Sequence, residues 1–297
     1  IVSAMKRHLR AGYPVYATPR AALTIRDNLD EVRDKGYTIL PEGQEPPDGD
    51  DLLTLRARDV DLDALVGALE PFDVEIPRTV AVAVQDHGEC LEGSNRRFRL
   101  QLWREFVQDG GQLIDLVYRR PPEYYTRMLA VQRDAPGAIL MDTGPAALWG
   151  ILEDPRARAH QDEGFILVNL GNQHTLGVLL RGERIFGLFE HHTVLMDWDK
   201  LQQLIHQLRA GVLTNDIVYE DNGHGAHVHP DHVLKDGFNT VAVTGPQRQL
   251  VDPGTRAGGL SYFLAAPYGD MMLTGCFGLV AGARHLLGSG DSTARRP

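Results

Sequence analysis

Phe165-Ile166-Leu167-Val168-Asn169-Leu170-Gly171-Asn172-Gln173-His174 is the stretch on which the reading of the fold turns. Its first six residues are a buried strand, and Gly171 to His174 is a turn. Thr175 to Leu180 reads as the returning strand, Arg181-Gly182-Glu183 as a second turn, and Arg184 to Phe189 as a third strand, so the segment predicts an antiparallel meander. Upstream, Ala138-Ile139-Leu140-Met141 is a buried strand that ends in Asp142-Thr143-Gly144, with Pro145 in the first turn of a following helix. Further upstream, Thr79 to Val84 is apolar throughout, as a strand covered on both faces should be, and it ends in Gln85-Asp86-His87-Gly88. Leu100 to Val107 reads as helix. Downstream, Asp197 caps a helix with an apolar stripe of Leu201, Leu204, Ile205, Leu208 and Val212. Phe238 to Val243 is a late strand running into Thr244-Gly245-Pro246, and Met271 to Leu286 is a final helix whose Gly275, Gly278 and Gly282 share a side.

Near the start, Ile1 to Arg10 reads as a helix already under way, which predicts that residues upstream have been lost. Gly12 to Ala17 and Tyr37 to Leu40 are short strands flanking one helix from Pro19 to about Lys35, closed by Gly36, a βαβ-like unit. Pro41 to Asp50 has too many breakers for regular structure, and Asp61 to Leu69 is a short helix. Charged, proline-bearing Glu153 to Glu163 is the expected boundary between a first lobe at residues 1–153 and a second at 164–297.

Composition limits the function classes. Forty acidic and thirty basic residues among 297 give a formal charge of -10, which repels nucleic-acid backbones and anionic lipid. The cluster Arg96, Arg97, Arg99, Arg104 reads as a solvated helix start with no role. Cys90 and Cys276 are the only cysteines, so there is neither a disulfide framework nor a paired-cysteine metal knuckle, and a reduced, cytoplasmic setting is expected. No run is long enough for a membrane span. The expected partner is a small molecule or nucleotide, with the oligomeric state left open.

The order of these strand–turn–helix landmarks resembles the actin-like ATPase superfamily of sugar kinases, actin and DnaK-type chaperones. The resemblance implies a two-lobed α/β fold of ribonuclease H-like type, with the first lobe lacking its N-terminal hairpin. It implies that Asp142 to Ala147, including Gly144, connects the lobes. It also implies that Asn169, Gly171, Asn172, His174 and Thr175 form the second phosphate loop, and that Thr244 and Gly245 belong to the adenosine loop. A glycine turn exposes backbone N–H groups to phosphate oxygens, and the resemblance implies ATP with Mg as the cofactor. Two departures stand out: Asn169 occupies a position where an aspartate commonly helps place the metal, and the first phosphate loop is absent.

More closely, the chain resembles an uncharacterised bacterial and archaeal family labelled "putative pyruvate formate-lyase-activating protein". The phrases that carry this are Val84-Gln85-Asp86-His87-Gly88, Met141 to Ala147, Asn169 to Thr175, Phe189-Glu190-His191-His192-Thr193 and Asn222-Gly223-His224-Gly225-Ala226. An iron–sulfur radical activase needs three closely spaced cysteines, and two distant ones cannot supply them.

Asp86, His87, Asp142, His174, Glu190, His191 and His192 all fall at or just past strand ends, where open α/β sheets gather ligand groups. Asp142 is the preferred general base, Asp86 the second, with His87 beside them. Asp221 to His232 concentrates four histidines in one glycine-bearing loop, with His227 and His229 as a candidate chelating pair and His224 the member set to approach a ligand. His191, His192 and His224 are therefore candidate ligands for zinc or iron. The leading expectation is phosphoryl transfer or nucleotide hydrolysis. The alternatives are a metal-dependent hydrolase using His87, His174, His191 and His224, and a non-catalytic nucleotide-responsive regulator.

Overall fold

The computed structural model describes residues 2–26, 28–47, 52–90, 94–232, 237–252, 254 and 256–291. They form two compact units, Ile1–Arg58 and Asp59–Pro297. The lobe boundary expected at residues 154–163 falls inside the second unit.

The first unit holds α1 (Val2–Arg10), β1 (Tyr16–Ala17), α2 (Pro19–Leu23), α3 (Leu29–Asp34) and β2 (Thr38–Ile39). β1 and β2 pair in parallel, with Tyr16 opposite Thr38, which is the βαβ arrangement anticipated. The single helix expected from Pro19 to Lys35 is instead two. Thr24 closes α2, its hydroxyl donating to the Ala21 carbonyl at 2.6 Å, and Asn28 opens α3 by accepting from the Asp30 N–H at 2.8 Å. Both side chains compete for backbone groups that a continuous helix would need. Ala22, Ile25, Val32 and Tyr37 form the small core of this unit. Residues 48–50 of the expected loop lie outside the described residues.

The second unit is mixed α/β. It runs α4 (Leu62–Leu69), β3 (Ala81–Ala83), α5 (Asn95–Gln108), β4 (Val117–Tyr118), α6 (Thr126–Asp134), β5 (Ile139–Met141), α7 (Thr143–Leu152) and α8 (Pro155–Arg158). Next come β6 (Phe165–Leu170), β7 (His174–Arg181), β8 (Arg184–His192), α9 (Trp198–Arg209), α10 (Asn215–Glu220) and β9 (Gly225–Val228). The unit ends with β10 (Thr240–Thr244), β11 (Arg256–Ala257), β12 (Leu260–Leu264) and α11 (Thr274–Asp291). β3, β5 and β4 make a three-stranded sheet, and the order β11-β12-β10-β6-β7-β8-β9 makes a seven-stranded one. β6, β7 and β8 are the antiparallel meander; β10 joins β6 in parallel on the other side.

Strand periodicity sorts the side chains of the large sheet onto two faces. Phe165, Leu167, Leu176, Val178, Leu180 and Leu188 pack with Leu148 and Ile151 of α7. Ile166, Val168, Leu170, Phe189 and Val241 pack with Leu201, Leu204, Ile205 and Leu208 of α9. Val212, expected on that stripe, is exposed, and Leu213 is the buried residue past the helix end. A β-bulge between Leu179 and Leu180 lets Phe186 slip between paired residues, so Ile185 and Leu188 both face α7. From Leu188 onward, even-numbered residues of β8 face α7 and odd-numbered ones face α9.

α7 and α11 cross with glycines at the contact. A methyl group on Gly278 would collide with the Ala146 carbonyl oxygen, and one on Gly150 with the Thr274 carbonyl, whereas Gly275 has open space around it. The close-packing expected of the α11 glycines thus applies to Gly278, and to Gly282 against Met141 and Val117, but not to Gly275. Among the described residues no helix is long and apolar enough to cross a membrane. Gly278→Ala is expected to lower unfolding stability by about 1–3 kcal/mol or more, while Gly275→Ala leaves it within about 1 kcal/mol. Urea denaturation of the two variants checks the contrast.

Candidate functional site

Chain direction brings five separate segments to one end of the second unit. The residues after β3 supply Gln85, Asp86 and His87; the start of α7 supplies Asp142, Thr143 and Gly144; the β6–β7 turn supplies Asn169 to His174. The end of β8 supplies Glu190 and His192, and the lead into β9 supplies His224. His174 sits opposite His192 in the β7–β8 register, and Glu190 sits opposite Gly225, the residue after His224. Three adjacent strand ends therefore hold three imidazoles side by side.

Arg99, on α5 and only 4% exposed, ties this end together. Its Nη2 donates to Asp142 Oδ2 at 2.8 Å, its Nε to Glu190 Oε2 at 3.0 Å, and its Nη1 to the Asp86 carbonyl at 3.1 Å. Trp103 Nε1 also donates to Glu190 Oε2 at 3.0 Å, and the Arg99 guanidinium lies 4.7 Å from the Trp103 ring centroid. Burial works to raise the Glu190 carboxyl, but the charge of Arg99, with His87 and His224 beside it, outweighs burial and holds it at about 2. Glu190 is thus a fixed anion.

His87, His174, His192 and His224 form the second layer. His224 lies 5.1, 4.7 and 4.7 Å, centroid to centroid, from His87, His174 and His192. One ring nitrogen from each of His174, His192 and His224 lies within 4.8 Å of the others, and the same holds for ligand atoms of His87, His174 and Glu190. Gln85 Nε2 contacts both His87 Nε2, at 3.2 Å, and His174 Nδ1. His224 is 6% exposed, and neither of its ring nitrogens has a hydrogen-bond partner among the described residues. A buried polar atom left without a partner costs about 1–3 kcal/mol. Burial first, then the neighbouring imidazoles, hold His224 down to about 3 and His174 down to about 4, against the pull of Glu190. Burial also lowers His87 and His192. At neutral pH all four rings are uncharged, which is the form that binds metals.

The loop carrying His224 is braced on two sides. Arg96 Nη2 donates to the carbonyls of Tyr219 and Gly223 at 2.9 and 2.6 Å, and its guanidinium lies 4.2 Å from the Tyr219 ring centroid. On the other side Asp221 Oδ2 accepts from His191 Nε2 at 3.0 Å and pairs with Lys200 at 2.6 Å. Gly223 leaves no room for a side chain, because a Cβ there would lie 2.5 Å from Val218 and 2.6 Å from the His191 ring.

A cavity of about 310 Å3 adjoins the histidines at Gln85, His174 and Glu190. It is also lined by Asp142, Gly144, Asn169, Gly171 and Asn172, so the expected lobe connection and much of the expected phosphate loop meet in one recess. Other expected residues lie elsewhere. Thr175 is fully buried and bonds Thr193 at 3.0 Å; Thr244 is buried and bonds Thr274 at 3.2 Å; neither lines the recess. Gly245 does not line it either: with φ of 103° it packs onto the Leu170 carbonyl, which explains the glycine without a nucleotide. Asp86, the second candidate base, spends its oxygens on the N–H groups of Gly88, at 3.0 Å, and Met128, at 2.9 Å. Asp142, the first candidate, caps α7 at Gly144 with Oδ1 and is held by Arg99 through Oδ2. His191 faces α9 and bonds Asp221, so strand alternation removes it from the candidate ligands and keeps His192. His232 bonds the Arg209 carbonyl, and His227 and His229 lie further along the chain, within β9 and just past its end, leaving His224 as the one loop histidine in the cluster.

Arg96, Arg99 and Trp103 were not expected at the site. They lie at i, i+3 and i+7 on α5, one helix face, and that spacing is the sequence signal that a solvated reading of the basic cluster overlooks.

Arg99→Ala is expected to cost about 3–5 kcal/mol, because it leaves two carboxylates buried without a cation, while exposed Arg97→Ala stays within about 0.5 kcal/mol. Acid sensitivity arises from the same geometry. His224 and His174 titrate near 6.5 when unfolded and near 3 and 4 when folded, so their contribution is complete above pH 6.5 and is lost as pH falls below it. Glu190 adds a further loss between 4.5 and about 2. Denaturant midpoints of the metal-free protein should therefore decline from pH 6.5 to 4, and His224→Gln should flatten that decline.

No curated protein matches the chain. A solved chain of a "PilM-PilN type IV pilus biogenesis complex" is similar at 15% identity and a TM-score of 0.30, over 54% of this chain and 56% of that one. The family model described as "Putative pyruvate format-lyase activating enzyme (DUF1786)" matches residues 1–250, and the chain belongs to that family.

Proposed function

We propose that the protein is a metal-dependent hydrolase, built on an actin-like scaffold and working in a reduced, cytoplasmic setting, whose ion is held by His174, His192 and His224. The observation that carries this reading is His224, buried with both ring nitrogens unpartnered and surrounded by three other imidazoles. An ion satisfies one of those nitrogens directly. Bonds of about 2.0–2.1 Å in a tetrahedron put ligand nitrogens about 3.4 Å apart. The three nitrogens lie within 4.8 Å, so small side-chain rotations close them on an ion. An imidazole-rich set with a carboxylate nearby and no thiolate suits zinc or iron. Such an ion supplies a water that ionises near neutral pH.

The chain's own residues set the rest. His87 stands beside the triad and can complete the ligand set or take a proton from bound water. Glu190, held ionised by Arg99 and Trp103, offsets the ion's charge and is too weak a base to accept a proton at neutral pH. Asp142, tied to Arg99 and to the α7 start, acts on position rather than on protons. The family's printed description does not fit a cluster activase, since two cysteines cannot hold an iron–sulfur cluster by three thiolates.

Nucleotide binding with phosphotransferase or ATPase chemistry is the second reading, favoured by the presence of Gly144, Asn169, Gly171 and Asn172 in one recess. Metal analysis of the purified chain separates the two. Stoichiometric zinc or iron, lost on chelation and restored on addition with a rise in melting temperature, supports the hydrolase. His224→Ala and His192→Ala should each weaken metal binding a hundredfold or more, while His229→Ala should leave it unchanged. Equal metal content in all three variants would sink the reading, and a melting shift with Mg-ATP alone would favour the second.

A further inference from the structure

The recess beside the histidines has walls whose charge and size restrict what can enter. Its charged lining consists of Arg99, Asp142 and Glu190, one guanidinium between two carboxylates, which leaves one negative charge in surplus. A divalent ion on His174, His192 and His224 turns that into one positive charge in surplus. The remaining polar walls are uncharged: the carboxamides of Gln85, Asn169, Asn172 and Gln173 and the hydroxyl of Thr143. Thr143 already donates to Asp142 Oδ1 at 3.2 Å, and Asn172 Oδ1 already accepts from Gln247 at 3.2 Å. The amide groups of Asn169 and Gln173 have no partner among the described residues and are free to bond a ligand.

Resting on the metal reading, we infer that this recess takes a small carboxylate carrying a single negative charge, with one oxygen on the ion and the other on the carboxamides. Charge complementarity favours a ligand whose charge offsets the surplus. A monoanion leaves the recess neutral. A nucleoside triphosphate leaves several negative charges against walls that offer no further cation. Volume points the same way. About 310 Å3 is room for roughly ten waters at about 30 Å3 each. That is also the lower end of the range for small-molecule pockets, about 300–1,000 Å3, which suits a compact acid.

Cobalt(II) bound to the full chain gives a visible absorption band that reports on what joins the ion. Acetohydroxamate, neutral in solution near pH 7 and bound by metal ions as its monoanion, so that once bound it carries a carboxylate's charge, is expected to shift that band saturably at submillimolar concentration. ATP and inorganic phosphate at ten times that concentration should leave it unchanged. Asn169→Asp, which keeps the shape and adds one negative charge to the wall, should retain cobalt and bind acetohydroxamate at least tenfold more weakly. A band that answers ATP or phosphate at lower concentration than the hydroxamate, or an Asn169→Asp chain that binds the hydroxamate unchanged, overturns the inference and leaves the metal centre standing. A wild-type chain with no cobalt band removes the metal centre itself, and the inference with it.

Discussion

Burying a guanidinium between two carboxylates constrains everything around it, because each group is tolerable there only while the others stay in place. Arg99 holds Asp142, 43 residues away, and Glu190, 91 residues away, and it also takes up the Asp86 carbonyl. α5, the end of β3, the start of α7 and the end of β8 are thereby fixed to one another. The pair contributes little net stability by itself, since desolvation offsets much of the attraction. Its effect is positional: β8 must end where Glu190 meets Arg99, and that places His192 next to His174. The same bonds occupy both carboxylate oxygens of Asp142.

How much of this was legible depends on where each constraint lies in the chain. The meander of β6, β7 and β8 could be read directly, because Phe165 to Leu170 is an unbroken apolar run and Gly171 and Gly182 mark its turns. Pro145 in the first turn of α7 and Gly36 as a left-handed stop are local events and were equally visible. Pro19 to Lys35 misled because apolar spacing alone ignores the competing hydrogen bonds of Thr24 and Asn28. Gly245 misled for another reason, since a close approach to a backbone carbonyl 75 positions away leaves no local trace.

The histidines show the limit most clearly. His191 and His192 are adjacent letters of the same type, and only the face of the sheet decides between them. That face depends on the extra residue Phe186 of β8, opposite Leu179 and Leu180, a bulge that no composition or spacing reveals. His192 turns toward α7 and the cluster, while His191 turns toward α9, where it anchors Asp221 and with it the loop that carries His224. One histidine is thus a ligand candidate and its neighbour helps hold another candidate in place.

The five phrases that carried the family resemblance, around Gln85, Asp142, Asn172, Glu190 and His224, all converge on this end of the second unit. What they assemble is polar but already internally balanced: Arg99 satisfies both carboxylates, backbone N–H groups occupy Asp86, and Gln85 bridges two imidazoles. His224 stands outside that balance. Its loop is clamped by Arg96, its flanking Gly223 admits no side chain, and its ring is driven into a site where burial keeps it neutral. A fold that fixes a residue so firmly while leaving both its nitrogens unbonded lowers its energy when a ligand arrives. Four imidazoles beside an anchored carboxylate are the donor set that the proposed cation would meet there.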